Sequence, residues 1–194
     1  MPAKRKVTRE DIIEGALNTL RDGGYASVNA RSVAKKLGCS TQPIYLEFEN
    51  MDELRKELTR CAIQIHTQLV MEVMNKEDDD SNRYRSYGVG FINFAKREKQ
   101  LFRYLYLEGE QCGEHLDDAH LAQIIEVIQK QYEYPEDIAK SFHQDMMYYA
   151  YGIAVLINKG SISLDDEQIE ELLNRQFRAL SGVYGVPPAK NHKM

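Results

Sequence analysis

Apolar residues return at intervals of three and four along most of this chain, the spacing that gathers them on one face of a helix. Ile12, Ile13, Ala16, Leu17 and Leu20 form the first such stripe. Thr8, with Asp11 three residues on, stands where an N-cap and its reciprocal partner belong, and Gly23-Gly24 ends the run. Asn29 caps a short second helix, with Ala30, Val33, Ala34 and Leu37 inward and Gly38 at its end. Asn50 and Glu53 open a longer helix whose inward stripe reads Leu54, Leu58, Cys61, Ile65, Leu69 and Val73. The same period continues over 84–97, 100–107, 120–132 and 136–158, and Asp165 caps a last helix with Ile169, Leu172, Leu173, Phe177 and Leu180 on one side. No strict alternation is long enough for a sheet. The pattern predicts an all-α chain of about nine helices.

One stretch resists a simple stripe. Gly38 to Phe48 reads GCSTQPIYLEF, small and polar residues running into apolar ones. Proline is tolerated in the first turn of a helix, where the N–H it lacks has no intrahelical acceptor. With Ser40 as N-cap, Pro43 falls at the third helical position, and Ile44 and Phe48 share a face four residues apart. The chain from Ala30 to Phe48 then reads as helix, turn, helix. In such a unit the second helix enters the DNA major groove. The Gln42 amide suits adenine and Thr41 offers a hydroxyl and a methyl, with Ser40 and Pro43 beside them. Asn29, Arg31 and Lys35 on the first helix, and the Tyr45 hydroxyl on the second, suit phosphates.

The charge balance agrees only when it is read locally. The 194 residues carry a net charge of -5, yet residues 1–46 hold eight Lys/Arg against four Asp/Glu. A basic end on an acidic chain points to a polyanion-binding segment joined to a body with another task. The basic tail Lys4-Arg5-Lys6 adds a reach toward the DNA backbone or minor groove. With 43% hydrophobic and 28% charged residues the chain is of ordinary globular composition. No apolar run approaches the roughly 20 residues of a bilayer span, and no secretion signal opens the chain, so a cytoplasmic protein that does not enter the membrane is expected. Cys39, Cys61 and Cys112 lack the spacing of a disulfide framework or zinc site and read as buried thiols.

The residues from Gly24 to Leu54, GYASVNARSVAKKLGCSTQPIYLEFENMDEL, resemble the N-terminal signature of TetR-family transcriptional regulators. Tyr25, Val33-Ala34, Leu37-Gly38, Ser40, Ile44-Tyr45, Phe48 and the Asn50 to Leu54 start of the linking helix carry the match. The likeness extends from Thr8 to about Leu58. It implies a helix-turn-helix head over residues 1–50 and a helical ligand-binding and dimerisation body over 51–194. It also implies a homodimer that binds a palindromic operator on double-stranded DNA, represses transcription, and lets go when a small-molecule effector binds. The sequence departs from the family at Gln42-Pro43, where Gly-Thr or Gly-Ser is commoner, at Glu47, in place of His or Tyr, and at Met51, where a phosphate-contacting lysine is frequent.

Within the body, Phe91, Phe94, Phe102, Tyr106, Ile125, Ile128 and Tyr148 are candidates to line a pocket for an apolar or aromatic effector. Tyr149, Ile153, Leu156, Leu173, Phe177 and Leu180 lie on the broad apolar faces of the last two helices, where a four-helix dimer interface would form. The segment Glu114 to His120 gathers carboxylates and two histidines, but five residues separate the histidines, and an exposed connection is expected rather than a metal site. No phosphate loop, nucleophile elbow or Ser/His/Asp pattern appears, so neither an enzyme nor a cofactor is expected. A DNA-binding protein of the same build, acting architecturally or through a protein partner without an inducer, is the alternative.

Overall fold

The computed structural model describes residues 7–75, 83–108 and 118–185. Among these it contains nine α-helices and no strand, as the periodicity predicts. The basic residues at 4–6, the acidic run at 77–80, Cys112 and the residues at 114–117 lie outside the described residues. Among the described residues, no helix is long and apolar enough to cross a membrane, and no group of three His, Cys, Asp or Glu is placed to hold a metal.

Packing divides the chain into two compact units, one of residues 1–65 with 98–115 and one of 66–97 with 116–194. This is a cut by contacts; the functional division expected at residue 50 falls inside the first unit. In that unit α1 (Arg9–Gly23) begins with a complete capping box between Thr8 and Asp11. A 3-10 turn (Tyr25–Ser27) leads to α2 (Ala30–Leu37), and α3 (Gln42–Glu47) follows a short turn. The buried seam of Ile12, Ala16, Leu20, Val33, Ala34 and Ile44 joins the three. The long helix α4 (Met51–Met74) starts at Asn50, whose side-chain oxygen accepts the Asp52 and Glu53 N–H groups at 3.0 and 2.9 Å. Glu53 answers with a bond from the Glu49 N–H at 2.7 Å, one residue before the position expected of a capping box.

The α4 stripe differs from the expected one beyond its second turn. Leu54 and Leu58 are buried as expected, but the buried residues that follow are Ala62, His66, Val70 and Met74. Cys61, Ile65, Leu69 and Val73 are half-buried. The reason lies in a polar side chain: His66 is packed edge-on against Phe91 and Phe94, with ring centroids 5.9 and 4.9 Å away, and an aromatic pocket for a histidine is invisible to a hydrophobicity count. Cys39 and Cys61 are free thiols, half-buried rather than buried.

The segment expected as one helix over 100–107 has two windings. The short α6 (Lys99–Arg103) gives way to a π-helical turn, Tyr104–Glu108. Tyr104, the first residue of that turn, bonds Thr59 at 2.7 Å and the Arg55 carbonyl at 3.3 Å, and its ring lies 5.3 Å from that of Tyr25. Arg21 clasps Glu98 through two hydrogen bonds of 3.0 and 2.6 Å.

The second unit is built around α5 (Arg83–Arg97), in which seven consecutive residues from Val89 to Ala95 are buried. Around it pack α7 (Asp118–Tyr132), α8 (Glu136–Asn158) and α9 (Asp166–Tyr184). Gly90 is the tightest point: a Cβ there would lie 2.9 Å from the Val70 Cα, backbone that has no rotamer with which to yield. An aromatic cluster of Tyr84, Tyr132, Tyr134, Phe142, Phe177 and Tyr184 fills one end of the unit, with neighbouring centroids 5.1 to 6.5 Å apart. The Tyr84 hydroxyl meets His143 Nδ1 at 3.1 Å, and the Asn158 amide donates to the Ala95 carbonyl at 3.2 Å.

Candidate nucleic-acid interface

The turn between α2 and α3 is made by Gly38, which adopts the left-handed conformation (φ 65°, ψ 30°) that a side chain disfavours. Its N–H and that of Cys39 return to the Lys35 and Ala34 carbonyls at 3.2 and 3.0 Å, closing the end of α2. The cap of α3 lies one residue later than Ser40, the expected position. Thr41 already has helical backbone angles and its carbonyl takes the Ile44 and Tyr45 N–H groups at 3.1 and 3.4 Å. Pro43 is therefore the second helical residue, still within the turn where its missing N–H breaks nothing.

Ile44 and Phe48 are seated in the core of this unit at 1% and 2% exposure. Arg9 locks the far end of α3: its guanidinium lies 4.0 Å from the centre of the Phe48 ring and donates to the Glu47 carbonyl at 2.6 Å and to Glu53 at 2.8 Å. The Glu49 N–H, and then Arg9, hold the Glu53 carboxyl below its usual range, and Glu53 holds Arg9 above its own. Arg9 is thus committed to the fold of the head.

With that face fixed, the expected DNA-contacting residues fall outside the core. Asn29, Arg31, Lys35, Ser40, Gln42 and Tyr45 are exposed, and Thr41 and Pro43 half-exposed. Asn29 also caps α2, accepting the Ser32 N–H at 3.1 Å, while its amide donates to the Ser27 carbonyl at 3.1 Å. Lys36 pairs with Asp22 at 2.5 Å, whereas among the described residues no carboxylate pairs with Arg31 or Lys35. Exposed amide and hydroxyl groups on a protruding helix, with unpaired cations on the helix before it, are the means to meet bases and phosphates together. Leu46, 75% exposed on the same short helix, is not among the expected contacts.

Residues 12–58 match the family model described as "Bacterial regulatory proteins, tetR family". An uncharacterized HTH-type transcriptional regulator of Haemophilus influenzae is 24% identical over 189 residues, covering 92% of this chain and 90% of the relative. A TetR-like transcriptional regulator from Rhodococcus sp. RHA1 has the same fold, with a TM-score of 0.64 at 19% identity over 94% of this chain and 98% of that one. The head of this chain is thus similar to that of TetR-family transcriptional regulators, and its fold is similar to theirs. A TetR family transcription regulator from Marinobacter aquaeolei VT8 superposes similarly, with a TM-score of 0.62 at 16% identity over 88% of this chain and 94% of the other. Each of these relatives is described as a transcriptional regulator, and residues 12–58 carry the likeness to that DNA-binding family.

The expected ligand residues divide between the two units. Phe102 and Tyr106 belong to the first unit, their rings 5.1 Å apart, while Phe91, Phe94, Ile125, Ile128 and Tyr148 belong to the second. Phe91, Phe94, Phe102, Ile125 and Ile128 are buried. Tyr148 departs from its expected place: it is 66% exposed on α8 and takes a 2.6 Å hydrogen bond from Gln144. It follows Met147 and precedes Tyr149 on a helix only one side of which is covered. The second unit has an apolar cleft elsewhere, between Tyr84, Tyr87, Met146, Met147, Leu173 and Phe177 with Arg85 beside them. About 10 Å³ of it is open, room for about one water. Of the expected interface residues, Ile153 and Leu173 face the unit's own core at 7% and 1% exposure. Tyr149, Phe177 and Leu180 are half-exposed and Leu156 is 44% exposed, joined by Val183 at 78%.

Proposed function

We propose that this regulator is a cytoplasmic repressor that binds a palindromic operator as a homodimer and releases it when a small apolar or aromatic molecule binds its body. The observation that carries the reading is the orientation of α3: Ile44 and Phe48 inward, Gln42 outward. In this reading Thr41 and Gln42 read base edges, flanked by Ser40 and Pro43, and Asn29, Arg31, Lys35 and Tyr45 hold the backbone. The functional head ends near residue 50 and the remainder senses and dimerises.

For the dimer, support comes from apolar side chains that are exposed among the described residues. Leu156 and Tyr148 on α8 and Val183 on α9 are exposed, and Gly152 and Gly182 have open space where a side chain would stand. A second copy apposing the same two helices would cover them, with Tyr149, Phe177 and Leu180 alongside. For the effector, the cleft beside Tyr87 and Met146 is apolar, and its methionines are flexible enough to open it. Sedimentation of the free protein tests the assembly. A dimer is expected for the wild type, with Leu156→Glu dissociating at about tenfold higher concentration or more. A wild type that remains monomeric at operator-binding concentrations would remove the symmetric reading.

A further inference from the structure

One of the most exposed side chains of α3 is an apolar one, Leu46. Successive helical residues turn by about 100°, so Leu46 stands roughly 200° from Ile44 and some 160° from Phe48 around the axis. It therefore points almost directly away from the buried side, and its 75% exposure agrees. Gln42, four residues earlier, lies on the same face, about 40° away. Any surface that the Gln42 amide reaches is one that Leu46 also meets.

We infer that Leu46 is a specificity determinant that packs against the C5-methyl of a thymine next to the base read by Gln42. The inference rests on the proposed placement of α3 in the major groove. Leucine has no hydrogen to donate and no lone pair to offer, so it can take no part in contacts with phosphate or with polar base edges. The apolar group that standard bases present in the major groove is the thymine methyl. An isolated exposed leucine needs no explanation on an ordinary surface. This one shares its face with Gln42 and follows the exposed Tyr45 on a six-residue helix of which only Ile44 is buried. Nothing among the described residues covers more than a quarter of it.

The test uses duplexes that the full-length wild type enriches from a random pool, resynthesised with deoxyuridine at one thymine at a time, which removes the methyl and leaves base pairing unchanged. We expect at least one thymine per half-site at which this substitution weakens wild-type binding about fourfold, the worth of one buried methyl-sized group. Leu46→Ala should bind the thymine duplex more weakly by a similar factor and should no longer distinguish thymine from uracil there. A side chain so exposed can be truncated without loss of folding, which thermal denaturation would verify. Leu46→Met, which retains an apolar reach, should restore part of the discrimination. Indifference of the wild type to uracil at every position would overturn the assignment, as would a Leu46→Ala variant that keeps the full discrimination. Failure to enrich any sequence would instead overturn the placement of α3 in the groove, and this inference with it.

Discussion

An amide serves a base only while the helix bearing it is held at a fixed roll. Ile44 and Phe48 set that roll for α3, and the Arg9 contacts to the Phe48 ring and the Glu47 carbonyl keep the end of the helix from lifting. Gln42 then acts through hydrogen bonds that depend on which base it meets. Replacing it with alanine should cost about 1–3 kcal/mol in binding to the preferred sequence and little on unrelated DNA. Titrations of both duplexes at one salt concentration would show this. A uniform loss would reassign Gln42 to the backbone. At this scale the sequence was legible where chemistry and spacing coincide: Thr8, Asn29, Asn50 and Asp165 all cap helices as expected. At Leu46 the shared face of Ile44 and Phe48 implies an outward direction, but an apolar side chain offers none of the hydrogen-bonding chemistry by which contacts to DNA are first sought.

At the level of helices, the caps and glycines fixed ends well, while faces were harder to assign. The inward face of α4 runs on from Leu58 through Ala62 and His66, where a small residue and a histidine hide it from a hydrophobicity count. The helix over 100–107 was expected to be uniform because the switch to π winding at Tyr104 accompanies hydroxyl bonds to Thr59 and Arg55, partners that lie over forty residues away in sequence. The α5 helix, buried nearly all round, carries a separate consequence. Burial pushes the Tyr87 hydroxyl up to about 12, and burial raises Tyr84 and Tyr132 as well. A tyrosine whose folded pKa exceeds its unfolded value of about 10 stabilises the fold fully below pH 10, and that contribution is lost as pH rises toward the folded value. Tyr87 alone accounts for a contribution on the order of 3 kcal/mol between about pH 10 and 12. Stability followed by circular dichroism should therefore fall steeply across that window, and Tyr87→Phe should flatten the fall. A stability that is level from pH 10 to 12 would contradict the packing described for α5.

Across the whole molecule, charge and symmetry carry the functional account. Net charge alone would argue against DNA, but in the first 46 positions eight Lys/Arg outnumber four Asp/Glu, and Arg31 and Lys35 remain exposed on α2. Operator affinity should accordingly fall steeply with salt, by about tenfold or more from 50 to 200 mM for even a few phosphate contacts. A flat response would remove Arg31 and Lys35 from the interface. The fold class and the head were readable in advance because a helix-turn-helix is local in sequence. The body was less so: its ligand and interface residues depend on how long helices meet, and periodicity does not say which apolar face finds a partner within the chain. The most direct test of the central claim, that the outer face of α3 reads double-stranded DNA, is selection from a pool of random duplexes with the purified full-length protein. The account predicts enrichment of an inverted repeat whose half-sites lose their advantage with Gln42→Ala. A pool that emerges unenriched would contradict it.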